Sequence, residues 1–232
     1  MAWLGLRRGP EKALGRLAGA ASPVGEFARA GLPSGATAAS ALRLLAVDVE
    51  TTGFDPARDQ LLSIGFVPVD GHTIRLEGAR RIHVRPQAGA EVGVSATIHG
   101  LTDDLVAAGV SAREAVDALA TALTGRVLLA HHAKIEVGFL GAACRTAYGL
   151  ELPLRTVDTM ELARRALPGG WQREPQPGEL RLWTVRERFG LPTYAAHDAL
   201  QDALACAELY LAQLAELEHG AAKAVTLDRL AS

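Results

Sequence analysis

Leu44-Leu45-Ala46-Val47-Asp48-Val49-Glu50-Thr51-Thr52-Gly53 sets an apolar run directly against two carboxylates one residue apart. The run is short, apolar and closed by a turn signal, so it predicts a buried strand. Side chains at i and i+2 of a strand share a face, which places Asp48 and Glu50 side by side. Acids held together at the mouth of a core strand repel each other unless a positive group lies between them. An isolated pair of this kind is more often a solvated strand end. It reads as a metal site only if the rest of the chain supplies further ligands.

Outward from this strand, Gln60–Val69 and a segment ending Arg81-Ile82-His83-Val84-Arg85 flank Asp70-Gly71, a hairpin signal. Pro68 inside the first of these fits best at an edge or a bulge. Ser111-Ala112-Arg113-Glu114 is a capping box that opens a helix through about Leu123. Val127–Ala130 is a second buried strand, followed by helix from about His132 to Tyr148 with Gly149 as its stop. Thr156-Val157-Asp158 leads into a helix over 159–167, with Asp158 as its N-cap. A loop rich in Gly, Pro and Gln spans 168–179, a helix 182–189 ends at Gly190 and Pro192, and a long helix runs from about Asp198 to Leu217. A three-strand antiparallel meander followed by alternating helices and strands predicts an α/β fold with a mixed sheet and flanking helices. The expected division is a flexible or loosely docked extension over 1–40, a domain over 41–218 and a short tail over 219–232.

The chain has 232 residues, 49% apolar and 22% charged, as in a globular rather than a disordered protein. Its formal charge of −2 carries no bulk basic signal, so any nucleic acid must be held by a local patch. Cys144 and Cys206 match no zinc spacing and no disulfide framework, which points to buried thiols and a cytoplasmic location. No apolar run reaches the ~18 residues of a membrane span, so no membrane association is expected.

Two more segments carry candidate chemistry. His197 precedes Asp202 by five residues, an offset of roughly 140° on an ideal helix, so the two converge only if His197 lies on the loop before the helix. His131-His132-Ala133-Lys134-Ile135-Glu136 stands at a strand-to-helix junction and contributes one acid, Glu136. His131 and His132 read as packing or substrate-contact residues. Trp171, with Arg173 and Arg181 near it, reads either as a base-stacking residue or as a loop anchor.

Asp48-x-Glu50-Thr51-Thr52-Gly53, Ile98-His99-Gly100-Leu101-Thr102, the block 130–140 and His197-x-Ala199-x-x-Asp202-Ala203 occur in that order. Together they resemble the motifs of the DEDDh 3′–5′ exonucleases, the group that includes the proofreading (epsilon) subunit of bacterial DNA polymerase III. The resemblance spans about residues 42–217. It implies a ribonuclease H-like fold, two Mg²⁺ or Mn²⁺ ions, and hydrolysis of a nucleic acid from a free 3′ end, DNA being favoured. It further implies that Asp48, Glu50, Glu136 and Asp202 are metal ligands, that His197 is the catalytic base, and that Thr51 and His99 touch substrate. At the second motif the family carries Asn-x-x-Phe-Asp, whereas this chain has His132-x-x-Ile135-Glu136, an acid one methylene longer. The rival readings are trimming of RNA or short oligonucleotides and a binding module with weakened catalysis. A polymerase partner is conceivable from the resemblance, but no tether for one is visible after the last helix.

Overall fold

The structure is a computed structural model and describes residues 14–86, 108–194 and 198–231. Its sheet grows from the strand quoted first. β1 (Arg43–Thr51) pairs antiparallel with β2 (Leu61–Asp70), from Arg43 opposite Asp70 to Thr51 opposite Leu61. After a turn at Gly71 (φ +56°), β3 (Thr73–Ile74) pairs with one end of β2, and β4 (Arg80–His83) pairs with the other. β5 (Val127–Ala130) lies parallel to β1, and β6 (Thr156–Asp158) parallel to β5. The result is one six-stranded mixed sheet, the meander and parallel extension that the sequence predicts. Pro68 is the exception to its expectation, because it lies inside β2 opposite Leu45. Its carbonyl accepts from Arg75 N–H at 2.9 Å, on the side away from β1 and between the stretches that pair with β4 and β3. The missing N–H therefore interrupts no ladder.

The pleat of β1 divides the molecule into two cores. Leu45, Val47 and Val49 face α1 (Pro23–Ala30), α2 (Ala112–Leu123) and α3 (Lys134–Tyr148). Leu44 and Ala46 face α6 (Ala199–Glu218) and α7 (Leu227–Leu230), together with Leu162 of α4 (Thr159–Ala166). α5 (Leu182–Arg188) packs through Val185 against Leu209 of α6. The Ser111–Glu114 capping box and the left-handed Gly149 (φ +67°) start α2 and stop α3, as the sequence predicts. The segment expected to be loosely docked contributes Leu17, Val24 and Phe27 to the first core within its described residues. Val225, Leu227 and Leu230, from the expected tail, are buried in the second. These two segments also meet: Ala39 N–H donates to Val225 O at 2.8 Å, and Leu227 N–H donates to Thr37 O at 2.9 Å. Among the described residues no helix is long and apolar enough to cross a membrane.

One close approach positions α6. Residues directly opposite in an antiparallel pair share a face, so Gly65 of β2 lies beside its partner Asp48 under the first turn of α6. A Cβ at residue 65 would fall 2.1 Å from the carbonyl carbon of Ala199 and 2.3 Å from the nitrogen of Leu200. Both neighbours are backbone, so they cannot yield as a flexible side chain could. Gly65→Ala is expected to lower the melting temperature by about 2–12 °C, the range that follows from an overpacking cost of ~1–3 kcal/mol. It is also expected to displace Asp202, and with it to reduce the hydrolysis that the resemblance implies. Gly141→Ala in α3, whose nearest contact is Arg145 Nη1 at 3.6 Å, serves as the control and should not destabilise. Equal melting temperatures for Gly65→Ala and the parent would show that α6 does not rest on this approach.

Candidate metal centre

Asp48 and Glu50 project from β1 on the face continued from Leu44 and Ala46, and Asp202 descends from the first turn of α6. Each of the three offers a carboxylate oxygen, and these oxygens all lie within 4.8 Å of one another. Asp198 caps α6, its Oδ1 accepting the N–H groups of Leu200 (3.0 Å) and Gln201 (3.1 Å), while its Oδ2 accepts from Arg81 of β4. The sheet and the helix start are thus joined by an ion pair within the site wall. β1 shifts register between Glu50 and Thr51, and the Thr51 hydroxyl donates to Gly53 O at 2.5 Å. This tight turn leaves Phe54 on the surface, 87% exposed.

Glu136 lies on the first turn of α3 and is only 3% exposed. It stands outside the group of three, yet among the surrounding charges it acts most strongly on Asp48, and its Oε2 has no hydrogen-bond partner. Asp158 organises the turn that presents it. One oxygen accepts from His132 N–H (2.9 Å) and Met160 N–H (2.9 Å), the other from Ala133 N–H at 2.8 Å. Asp158 is therefore the expected N-cap of α4 and also a clamp on the β5–α3 junction. There His132 has φ +74°, the only left-handed non-glycine among the described residues. His131 is a packing residue: its Nε2 donates to Leu180 O and its Nδ1 contacts Thr159 Oγ1, both at 2.8 Å. Burial holds its pKa below the usual histidine range.

Electrostatics at this centre are adverse. Burial, followed by Glu136, Asp202, Glu50 and Asp198, pushes Asp48 well above the usual carboxylate range. Burial, followed by Asp202 and Asp198, raises Glu50 to about 8. Glu136 is also raised well above its ordinary value, chiefly by burial. Hard oxygen donors at this spacing suit a divalent cation, so the residues fit the metal dependence that the resemblance implies.

His197 and His99 lie outside the described residues. The sequence reading did not identify Gly65, the Arg81–Asp198 pair or Arg186. Arg186 is 1% exposed and donates to Ala205 O (2.5 Å), Pro192 O (2.7 Å) and Glu208 Oε2 (2.8 Å). With the Tyr194 hydroxyl donating to Glu208 Oε1 at 2.8 Å, it fixes the chain up to residue 194 against α6. A lone Arg in an amphipathic helix gives no signal of such a role.

The mixed sheet with flanking helices is a ribonuclease H-like fold, and three carboxylates cluster at one end of it beneath a helix start. The chain matches the model of the Exonuclease family over residues 45–210 and belongs to that family. It is a 3′–5′ exonuclease, a phosphodiester hydrolase of a metal-dependent group. It is 32% identical over 170 residues to DNA polymerase III subunit epsilon of Treponema pallidum, covering 73% of this chain and 75% of that protein. It is 28% identical to DNA polymerase III PolC-type of Thermotoga maritima, covering 71% of this chain but only 11% of that much longer protein. The fold resembles E. coli Exonuclease I in complex with a dT13 oligonucleotide (TM-score 0.61, 18% identity, 77% of this chain and 42% of that one). It also resembles the nuclease domain of 3′hExo, a DEDDh family member bound to rAMP (TM-score 0.62, 17% identity, 75% and 92%).

A carboxyl whose pKa is raised on folding binds more protons in the folded state, so it favours that state at low pH and loses this contribution as pH rises through the folded value. For Glu50 the window runs from the ordinary glutamate range to about 8. In chelator the unfolding free energy is expected to fall between about pH 6 and pH 8 by up to ~1.4 kcal/mol per pH unit for each such group, and the melting temperature with it. Mg²⁺ or Mn²⁺ competes with these protons, so its stabilising effect is expected to be larger at the higher pH. Melting curves with and without divalent ion at both pH values check this. A metal-induced rise no larger at pH 8 than at pH 6 would contradict the assignment.

Proposed function

We propose that the protein removes nucleotides from the 3′ end of DNA in a proofreading or repair role, using Asp48, Glu50, Asp202 and Glu136 to hold two Mg²⁺ or Mn²⁺ ions. The observation that carries this reading is the set of three carboxylates with oxygens within 4.8 Å of one another at one end of the sheet. When bound, divalent ions supply charge neutralisation at the reacting phosphate and lower the pKa of a coordinated water. The chain's own residues do the remaining work. Asp48 and Glu50 present their oxygens from one strand face, and Asp202 closes the set from α6. The Arg81–Asp198 pair and the Gly65 contact hold that helix end in place. His197, taken from the motif His197-x-Ala199-x-x-Asp202, is assigned the proton transfer from the attacking water, a task that suits an imidazole titrating near neutral pH.

Thr51 follows Glu50 at the end of β1 and Phe54 is exposed on the turn beyond it; with His99 they are assigned contact with the 3′ nucleotide. Relatives named as a DNA polymerase III subunit and as a PolC-type DNA polymerase III support a DNA substrate and a polymerase partner, and a cytoplasmic location is part of the same proposal. The test is degradation of single-stranded DNA, 3′-recessed duplex and RNA, each with Mg²⁺ and with Mn²⁺. A ladder on DNA that outpaces RNA supports the reading, and preferential loss of RNA overturns the substrate.

Asp202→Ala is expected to abolish hydrolysis while the fold survives, since it removes one of three mutually repelling acids. His197→Ala is expected to lower turnover by ~10²–10⁴-fold, the usual contribution of a general base. If His197→Ala keeps the parent's rate and pH profile, the base lies elsewhere. Glu136 is one methylene longer than the family's acid, and Mg²⁺ demands near-ideal octahedral geometry. The expected outcome is a preference for Mn²⁺ that shifts toward Mg²⁺ in Glu136→Asp, with Glu136→Gln impaired in both. Full activity of Glu136→Gln would remove Glu136 from the ligand set.

A further inference from the structure

We infer that Trp171 is a stacking platform for the single strand that leads into the acidic centre, an inference that rests on the nuclease reading above. Two hollows adjoin across His132 and Met160. One of about 440 Å³ contains Asp48, Glu136 and Arg181, and the other of about 400 Å³ contains Lys134 and Trp171. A strand whose reacting phosphate lies at Asp48 therefore has a path over His132 toward the indole. Lys134 and Arg181 are exposed along this path and carry the charge that a phosphate backbone requires.

The indole itself is built for contact with a ligand. Trp171 is 57% exposed, an unfavourable state for the largest apolar side chain and one that a loop anchor would not adopt. Gly169 (φ +86°) and Gly170 (φ +50°) turn the chain so that the short 3₁₀ turn Gly170–Gln172 presents it. The Arg164 guanidinium lies over the ring at 5.2 Å. The rest of the loop is braced: Arg173 makes a forked pair with Glu179 at 2.9 and 3.0 Å, and Leu180 O is held by His131. A braced aromatic face backed by a cation binds bases through stacking, which tolerates any base and demands an unpaired strand.

The experiment separates a long from a short substrate. The nitrophenyl ester of thymidine 5′-phosphate reaches only the acidic centre, whereas an oligothymidylate of about 10 nucleotides also spans the second hollow. In Trp171→Ala the loss is expected to be confined to the long substrate, as a rise in KM of about 5- to 150-fold with little change in kcat, the range for one stacked base. Trp171→Phe, which keeps a stacking ring, should recover most of it. Binding of the same labelled oligonucleotide by Asp202→Asn, with and without Trp171→Ala, gives a readout that does not depend on turnover. A parent that hydrolyses neither substrate would sink the nuclease reading, while this binding comparison still decides the platform. Equal losses on both substrates, or unchanged oligonucleotide binding, would overturn the inference.

Discussion

Carboxylates forced into one another's company govern this molecule. Asp48, Glu50 and Asp202 come from two elements far apart in sequence, and each raises the energy of ionising the next. Nothing local favours that arrangement. It persists because apolar burial on both faces of β1 fixes the strand, and backbone contact at Gly65 fixes the helix. Folding energy from the two cores is thereby stored as electrostatic tension at one end of the sheet, available to whatever cation relieves it. Asp198, the acid that caps α6, adds to this tension at Asp48 and Glu50, and its ion pair with Arg81 of β4 keeps it, with the helix start, against the sheet.

Much of this was legible because the signals are short-range. An apolar run, a capping box and a terminal glycine specify β1, α2 and the end of α3 through neighbours within a few residues, and the structure has each where the sequence indicates. The pleat alone sets Asp48 and Glu50 on one face. What the sequence concealed depends on residues distant along the chain. Pro68 sits within β2 because β4 ends and β3 begins on either side of it, which no local pattern encodes. Arg186 looks like a surface arginine until α6 and Pro192 close over it. The apolar positions of the first 40 residues are spaced by Gly and Ala, so Leu17, Val24 and Phe27 give little hint of their burial.

The second motif shows where local chemistry and site chemistry meet. A left-handed residue is required at position 132 to aim α3 at the cleft, and a side chain other than glycine there is strained by the turn. Asp158 compensates by accepting the N–H groups of residues 132 and 133. By holding N–H groups 25 and 26 residues earlier in the chain, an N-cap aspartate thus helps to place the acid that neighbours Asp48. The chain tolerates both a bulky imidazole and a longer carboxylate at this motif because the backbone at the junction is held independently of either side chain.

The pairing of Asp48 with Gly65 also bears on how the chain reaches this structure. Were β1 and β2 to zip together one residue out of step, Asp48 would lie opposite Ile64 or Phe66, and the side chains of one strand would stand on the wrong face for their partners. A branched or aromatic residue would then stand where the Ala199 carbonyl must come to rest, and the last long helix could not seat. Docking of that helix, a late event in chain order, is in this way a proofreading step on the sheet beneath it. A misaligned hairpin is rejected before its acids can ever be gathered.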